Sequence, residues 1–175
     1  MTKGRTDEEI IDALRLAGVP EAYRKQDITL DSCGAVGMRL ALLIQGKKHH
    51  DLFSGGALEI EGTSVNHHKA FYLFVRAMVI RNLAAAVVYA EDLITSHMTE
   101  ETEKTLADYS VIAVAGMTPH NCNPFGNSAA SVEWRLSRWL DSGRGLILLT
   151  DGQIHNCEVW SNRFRALIED RQIQY

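Results

Sequence analysis

LEIEGTSVNHHKAFYLFVRAM, residues 58–78, reads as a short apolar strand, a polar turn and an amphipathic helix beginning near His67. That is the layout of a phosphate-binding loop. A working loop follows G-x-x-x-x-G-K-[ST], in which the second glycine admits backbone N–H groups to the phosphates, the lysine neutralises them and the hydroxyl holds Mg²⁺. Here Gly62 is followed at the last three positions by His67, His68 and Lys69. The His67 imidazole blocks the close backbone approach, His68 is mostly neutral near pH 7, and Lys69 cannot ligate a cation. Gly62 and Lys69 are thus the candidate remnants of a nucleotide site whose chemistry is lost. The competing reading is an ordinary strand-to-helix turn, which uses Gly, Thr, Ser and Asn for turn and capping reasons.

On the amino-terminal side, Thr6 followed by Asp7, Glu8 and Glu9 is an N-cap with an acidic first turn, and Ile10, Ile11, Leu14 and Leu16 supply an apolar face that stops at Gly18 and Pro20. A second helical pattern through Val36, Leu40, Leu43 and Ile44 ends around Gly46. Residues 1–50 therefore form a lead-in of short helices and 51–175 the core. In the core, strands are expected at Ala57–Glu61, Ala85–Tyr89, 110–115 and 146–150, with helices at 69–83, 100–106, 129–140 and 158–164 and a last strand-like run at 166–174. Apolar strands alternating with helices imply a parallel sheet covered on both faces, a three-layer α/β/α sandwich.

Composition bounds the function. With 175 residues and 46% hydrophobic content, the chain suits one α/β domain with a substantial core. A net charge of -4 lacks the overall basic footprint of a nucleic-acid-coating protein, so any such contact is local or indirect. Three cysteines, Cys33, Cys122 and Cys157, have no disulfide-framework spacing, and MTKGRTDEEI lacks the apolar stretch of a signal peptide. A cytoplasmic location is expected. Apolar runs such as 83–90 are far too short to span a membrane.

Several segments, in order, carry a family resemblance. AGVPEAYR is similar to a lead-in of the type "AGIP-x-R-[YF]", GTSVNHHKA stands at a Walker A place, and VVYAEDLI resembles a second strand and its turn. ADYSVIAVAG lies where the family writes "ADLLVIDDLG", and GLILLTDG where it writes a strand ending in "TTN". From about Leu16 onward the chain resembles the AAA+ domain of the DnaC/DnaI-type helicase loaders and their IstB-type transposition ATPase relatives. The resemblance implies a RecA-like P-loop NTPase fold in which the strand beginning at Ser110 lies beside the P-loop strand. It places the two Walker B acidic positions at Ala113 and Val114, neither able to hold a metal or orient water, and the sensor asparagine at Asp151. Arg163 or Arg165 falls where the family has an arginine that reaches a neighbouring subunit's nucleotide. Exposed helix arginines are, however, commonly just solvated.

The expectation is a non-catalytic pseudo-ATPase, without cofactor or metal, acting as accessory or antagonist of a replicative helicase or another AAA+ protein, with an oligomer as one open state of assembly. One alternative is a loader or transposition ATPase binding ATP and Mg²⁺ through an altered site. Another is an unrelated metal-dependent α/β enzyme built on the repeated triplets His120-Asn121-Cys122 and His155-Asn156-Cys157, although zinc spacings such as C-x-x-C are missing. Cys122 with His120 has no identifiable acid or oxyanion framework for nucleophilic work. Finally, Trp134, Leu136, Trp139 and Leu140 form a stripe beside Arg135, Arg138 and Arg144. This is either core plus a solvated basic face or a surface for an acidic partner or nucleic acid.

Overall fold

The computed structural model describes residues 5–25, 28–46, 49–94, 100–117, 128–152, 154 and 157–174. The lead-in begins with α1 (Asp7–Leu16), closed by a capping box: Thr6 Oγ1 accepts the Glu9 N–H at 3.2 Å, and Glu9 Oε2 accepts the Thr6 N–H at 2.7 Å. Then come α2 (Gly34–Gln45) and a short α3 (His49–Phe53) that the sequence pattern did not reveal. The core follows as β1 (Ala57–Glu61), α4 (Val65–Ile80), β2 (Ala85–Tyr89), α5 (Glu100–Ala107), β3 (Val111–Met117), α6 (Ser128–Asp141), β4 (Gly145–Thr150) and α7 (Asn162–Asp170).

The four strands are all parallel, in the order β1-β4-β3-β2. β4 therefore separates β3 from β1, which corrects the expectation that the strand following Ser110 lies beside the P-loop strand. The layering follows from the strand order. α4 carries the chain from β1 across to β2, while α6 carries it back from β3 to β4, so crossovers of one hand must use opposite faces. Leu58, Ile60, Ala113, Ile147 and Leu149 accordingly pack with Phe71, Phe74 and Met78 of α4. Ile112, Val114, Leu146 and Leu148 pack with Val132, Leu136 and Leu140 of α6 and Phe164 and Ile168 of α7. This alternation along strands buried on both faces explains their continuous apolar runs.

α4 is the central helix. Ala70, Phe71, Leu73, Phe74, Val75, Met78 and Val79 are all buried, because the sheet covers one side and α1 and α2 the other. Each large side chain so buried contributes roughly 1.5–3 kcal/mol relative to an exposed one. Even Arg76 is taken inside, donating from Nη1 to the Ile28 carbonyl at 2.7 Å. Leu14, Ala17, Val19, Leu40, Leu43 and Ile44 of the lead-in belong to this same core, so the lead-in is a layer of the domain and not a separate body.

Both sheet edges are covered. At β2 the Val87 N–H donates to the Ala17 carbonyl at 2.8 Å. This close approach needs Gly18, whose φ is +72° and where a Cβ would lie 2.7 Å from the Val87 oxygen. At β1, Ala57 N–H donates to Arg171 O and Ile173 N–H to Ala57 O, both at 2.8 Å, making one parallel bridge at Gln172. Each edge strand thus has one of its outward backbone positions engaged, which shortens the template a free edge presents.

Three sequence expectations shift, one being the helix expected at 158–164, which forms instead at Asn162–Asp170. The helix expected at 69–83 starts at Val65, because Ser64 caps it by accepting the His67 N–H. The segment 166–174, expected as a strand, is helix through Asp170, and only Gln172 bridges the sheet. α7 forms there because Phe164 and Ile168, one turn apart, both enter the core. Among the described residues, no helix is long and apolar enough to cross a membrane.

Candidate functional site

In a parallel α/β sheet, ligands bind beyond the carboxyl ends of the strands, where neighbouring strands send their chains to opposite faces. Here that point lies between β1, which leads to α4, and β4, which leads toward α7. Gly62, Thr150 and Asp151 meet there, and the two loops are stitched together. The Gly62 N–H donates to the Thr150 carbonyl at 2.5 Å. Beneath them the buried carboxylate of Glu59 accepts the Thr150 hydroxyl at 3.0 Å and the Ile154 N–H at 2.6 Å from the same oxygen, Oε1. Sequence reasoning missed Glu59; the available signal was an acid at the middle position of a strand expected to be buried on both faces.

Only three residues, 62–64, connect β1 to α4. His67, His68 and Lys69 consequently lie in the first turns of the helix and not in a loop that could wrap phosphates. Both imidazoles turn back onto the connection. His67 Nδ1 is 3.1 Å from the Thr63 hydroxyl, and His68 Nε2 is 3.2 Å from the Gly62 carbonyl oxygen. A Cβ on Gly62 would lie 3.0 Å from His68 Nε2 and 3.1 Å from Thr150 O, so this glycine serves close packing of protein against protein. Lys69 is half-buried and its charge is felt at Cys33, where it favours the thiolate; burial outweighs this and pushes the Cys33 thiol up.

Ala113 and Val114 are fully buried in the interior of β3, Ala113 facing α4 and Val114 facing α6. The strand continues past them to Met117 through a bulge, in which Ala115 and Gly116 oppose Leu149 alone and Gly116 takes φ +74°. Asp151 is exposed. On α7, Arg163 is exposed, whereas Arg165 is half-buried and hydrogen-bonds to Asn162 Oδ1. His120, Asn121, Cys122, His155 and Asn156 lie outside the described residues, and Cys157 is half-buried. Among the described residues, no three His, Cys, Asp or Glu side chains come together as a metal-binding group.

The stripe on α6 divides between core and surface. Leu136 and Leu140 are wholly buried, Trp139 is half-buried with Nε1 donating to Gly145 O at 2.7 Å, and Trp134 is exposed.

A parallel sheet sandwiched between helices, with a strand-to-helix turn at its switch point, is a doubly wound α/β fold, and the AAA+ replication initiators among solved structures share it. Among solved structures, the chain is similar to a DNA replication initiation factor, with a TM-score of 0.62 and 11% identity over 85% of this chain and 49% of that one. It is likewise similar to AMPPCP-bound DnaA from Aquifex aeolicus, with a TM-score of 0.62 and 12% identity over 89% of this chain and 50% of that one. A third is replication initiator DnaA bound to AMPPCP and single-stranded DNA, with a TM-score of 0.59 and 11% identity over 90% of this chain and 51% of that one. At such identity the likeness concerns the fold. The chain spans about half the length of these structures. No protein-family model matches the sequence, and no curated protein matches it significantly.

Proposed function

We propose that this chain is an AAA+-type domain that works through protein contacts and not through nucleotide turnover, as a cytoplasmic accessory or antagonist of a replication or recombination partner. The observation that carries this reading is the three-residue connection between β1 and α4, with both imidazoles bonded back onto it. Phosphate transfer depends on positioning and on charge neutralisation. A turn whose glycine packs closely on Thr150 of β4, in a sheet whose β3 has alanine and valine at the Walker B places, supplies neither. Solved relatives of the fold are replication initiators, which supports a partner of that kind, a replicative helicase or another AAA+ protein. Helicase-loader kinship is the finer form of the proposal and rests on the sequence motifs.

The surface proposed for this partner is the α7 edge bearing Arg163 and Arg165, in a head-to-tail contact of the kind that builds rings or filaments. An inert nucleotide edge would let such a subunit cap an intact relative's assembly. The test has two parts. Titration with ATP and Mg²⁺ to millimolar concentration is expected to give no binding signal; saturable binding would favour the altered-site ATPase instead. Capture of an AAA+ partner from the native host is expected to weaken in the Arg163→Ala/Arg165→Ala double variant and to be unchanged by His67→Ala/His68→Ala. Equal capture by the arginine variant and the parent rules out the α7 edge.

A further inference from the structure

A groove of about 380 Å³ opens between α5 and α6, toward the amino ends of β3 and β4 and thus away from the switch point. Its apolar lining includes Leu93, Leu106, Ile112 and Leu136, and its charged lining among the described residues is Arg135, Arg138 and Arg144 with the carboxylate of Glu103. The cations are pre-arranged on aromatic supports. The Arg138 guanidinium lies 4.9 Å and that of Arg135 5.7 Å from the Trp134 ring centroid, and that of Arg144 lies 4.8 Å from Trp139. Stacking of this kind stabilises a guanidinium while leaving its N–H edge free to donate. The hydrogen bond from Trp139 to Gly145 O fixes one of the two supports.

Arg135 is paired with an acid of the chain itself. Its Nη1 holds Glu103 Oε1 at 2.9 Å with the arginine side chain only 16% exposed. Arg138 and Arg144 have no such acid among the described residues; nearby Asp141 is turned to Arg171 at 3.5 Å. Trp134, with its two guanidinium neighbours, stands 54% exposed at the rim, and Trp and Arg are the residues that most often anchor protein contacts.

We propose that this groove is a docking site for an acidic peptide segment of a partner protein, its carboxylates held by Arg138 and Arg144 and an apolar side chain seated between α5 and α6. A peptide fits better than single-stranded nucleic acid for two reasons. Non-specific strand binding stacks bases on open aromatic faces, whereas both indoles here already carry guanidinium groups. A long polyanion would also meet a chain of net charge -4 and the carboxylate of Glu103 at the rim. The inference stands apart from the reading of the nucleotide turn, since the groove is on a different face and end of the sheet.

The test uses the whole chain and a short synthetic peptide rich in Glu and Asp around a Leu-Phe pair, with a Lys-substituted counterpart and an oligothymidylate of equal charge as comparisons. Binding is followed by tryptophan fluorescence. The acidic peptide is expected to bind, the Lys peptide not to, and the oligothymidylate to bind more weakly than the acidic peptide. Arg138→Ala/Arg144→Ala is expected to weaken the acidic peptide about tenfold, and Arg138→Lys/Arg144→Lys to recover only part of that because the planar fork is lost. Arg138→Ala alone, at an exposed position, gives a smaller loss and guards against misfolding of the double variant. No binding of the acidic peptide, tighter binding of the oligothymidylate, or parental affinity in a folded double variant would each overturn the proposal.

Discussion

The Glu59 carboxylate in β1 accepts the main-chain N–H of Ile154 at 2.6 Å, a bond between residues 95 positions apart that closes the crevice between β1 and β4. The same oxygen takes the hydroxyl of Thr150, the last residue of β4, so one acid ties the end of that strand and the chain just beyond it to β1. At this switch point the ends of β1 and β4 are thus joined by internal hydrogen bonds.

Glu59→Ala is expected to destabilise the domain by roughly 2 kcal/mol, because it leaves a buried N–H and a buried hydroxyl without their acceptor. Glu59→Gln, which keeps an acceptor oxygen, should cost less. Urea denaturation followed by circular dichroism measures both; midpoints equal to the parent's for Glu59→Ala would show that the stitch contributes nothing.

Restoring the P-loop letters should not restore nucleotide binding. The variant His67→Gly/His68→Lys/Lys69→Ser writes glycine, lysine and serine at the expected spacing after Gly62. Those positions lie inside α4, so the backbone cannot curl around a phosphate. A fluorescent ATP analogue with Mg²⁺ is expected to give no saturable signal, and micromolar binding would show that the turn can remodel into a loop.

Gly37→Ala is expected to reverse the usual helix rule. In an exposed helix interior this change gains about 1 kcal/mol. At Gly37 in α2, an added Cβ would overlap the Leu30 carbonyl oxygen and stand 2.9 Å from the Cys33 Cβ. Overpacking of this kind costs roughly 1–3 kcal/mol or more. A higher melting temperature in the variant would contradict the close approach of residues 30–33 to α2.

Alkaline pH should weaken the fold. Burial pushes the Cys33 thiol above its ordinary 9.0 and the Tyr72 and Tyr109 hydroxyls above 10.0. Between the unfolded and folded values the folded chain holds more protons, so stability falls as pH rises. Loss is expected to begin above about pH 9 and steepen above about pH 10. Melting temperatures across that range provide the measurement, and Tyr72→Phe should flatten the steeper part. An unchanged slope in that variant would remove Tyr72 as a contributor.

Much of the fold was legible because its signals are local. Thr6 and Glu9, three residues apart, define a capping box that any chain segment of that sequence can form. The apolar runs at Ala57–Glu61 and Ala85–Tyr89 were placed to the residue, since strands buried on both faces have only one pattern. That Ala113 and Val114 carry no acid is likewise a property of the letters alone. α7 was less legible. Its segment has a helical and a strand-like reading, and burial of Phe164 and Ile168 together with the bond from the Ser161 N–H to Glu133 Oε1 at 2.5 Å selects the helix.

The sequence by itself thus determined the alternation of strands and helices and the absence of P-loop letters, because both depend on residues near one another in the chain. Tertiary structure alone decided that β4 lies between β1 and β3, since parallel pairing joins strands without regard to their separation and leaves no periodic mark. It also decided that Glu59 closes the crevice and that Trp134 faces solvent while Leu136, two residues on, is in the core. A carboxylate or an indole has the same letter wherever it points, and only the packing of distant elements fixes what it meets.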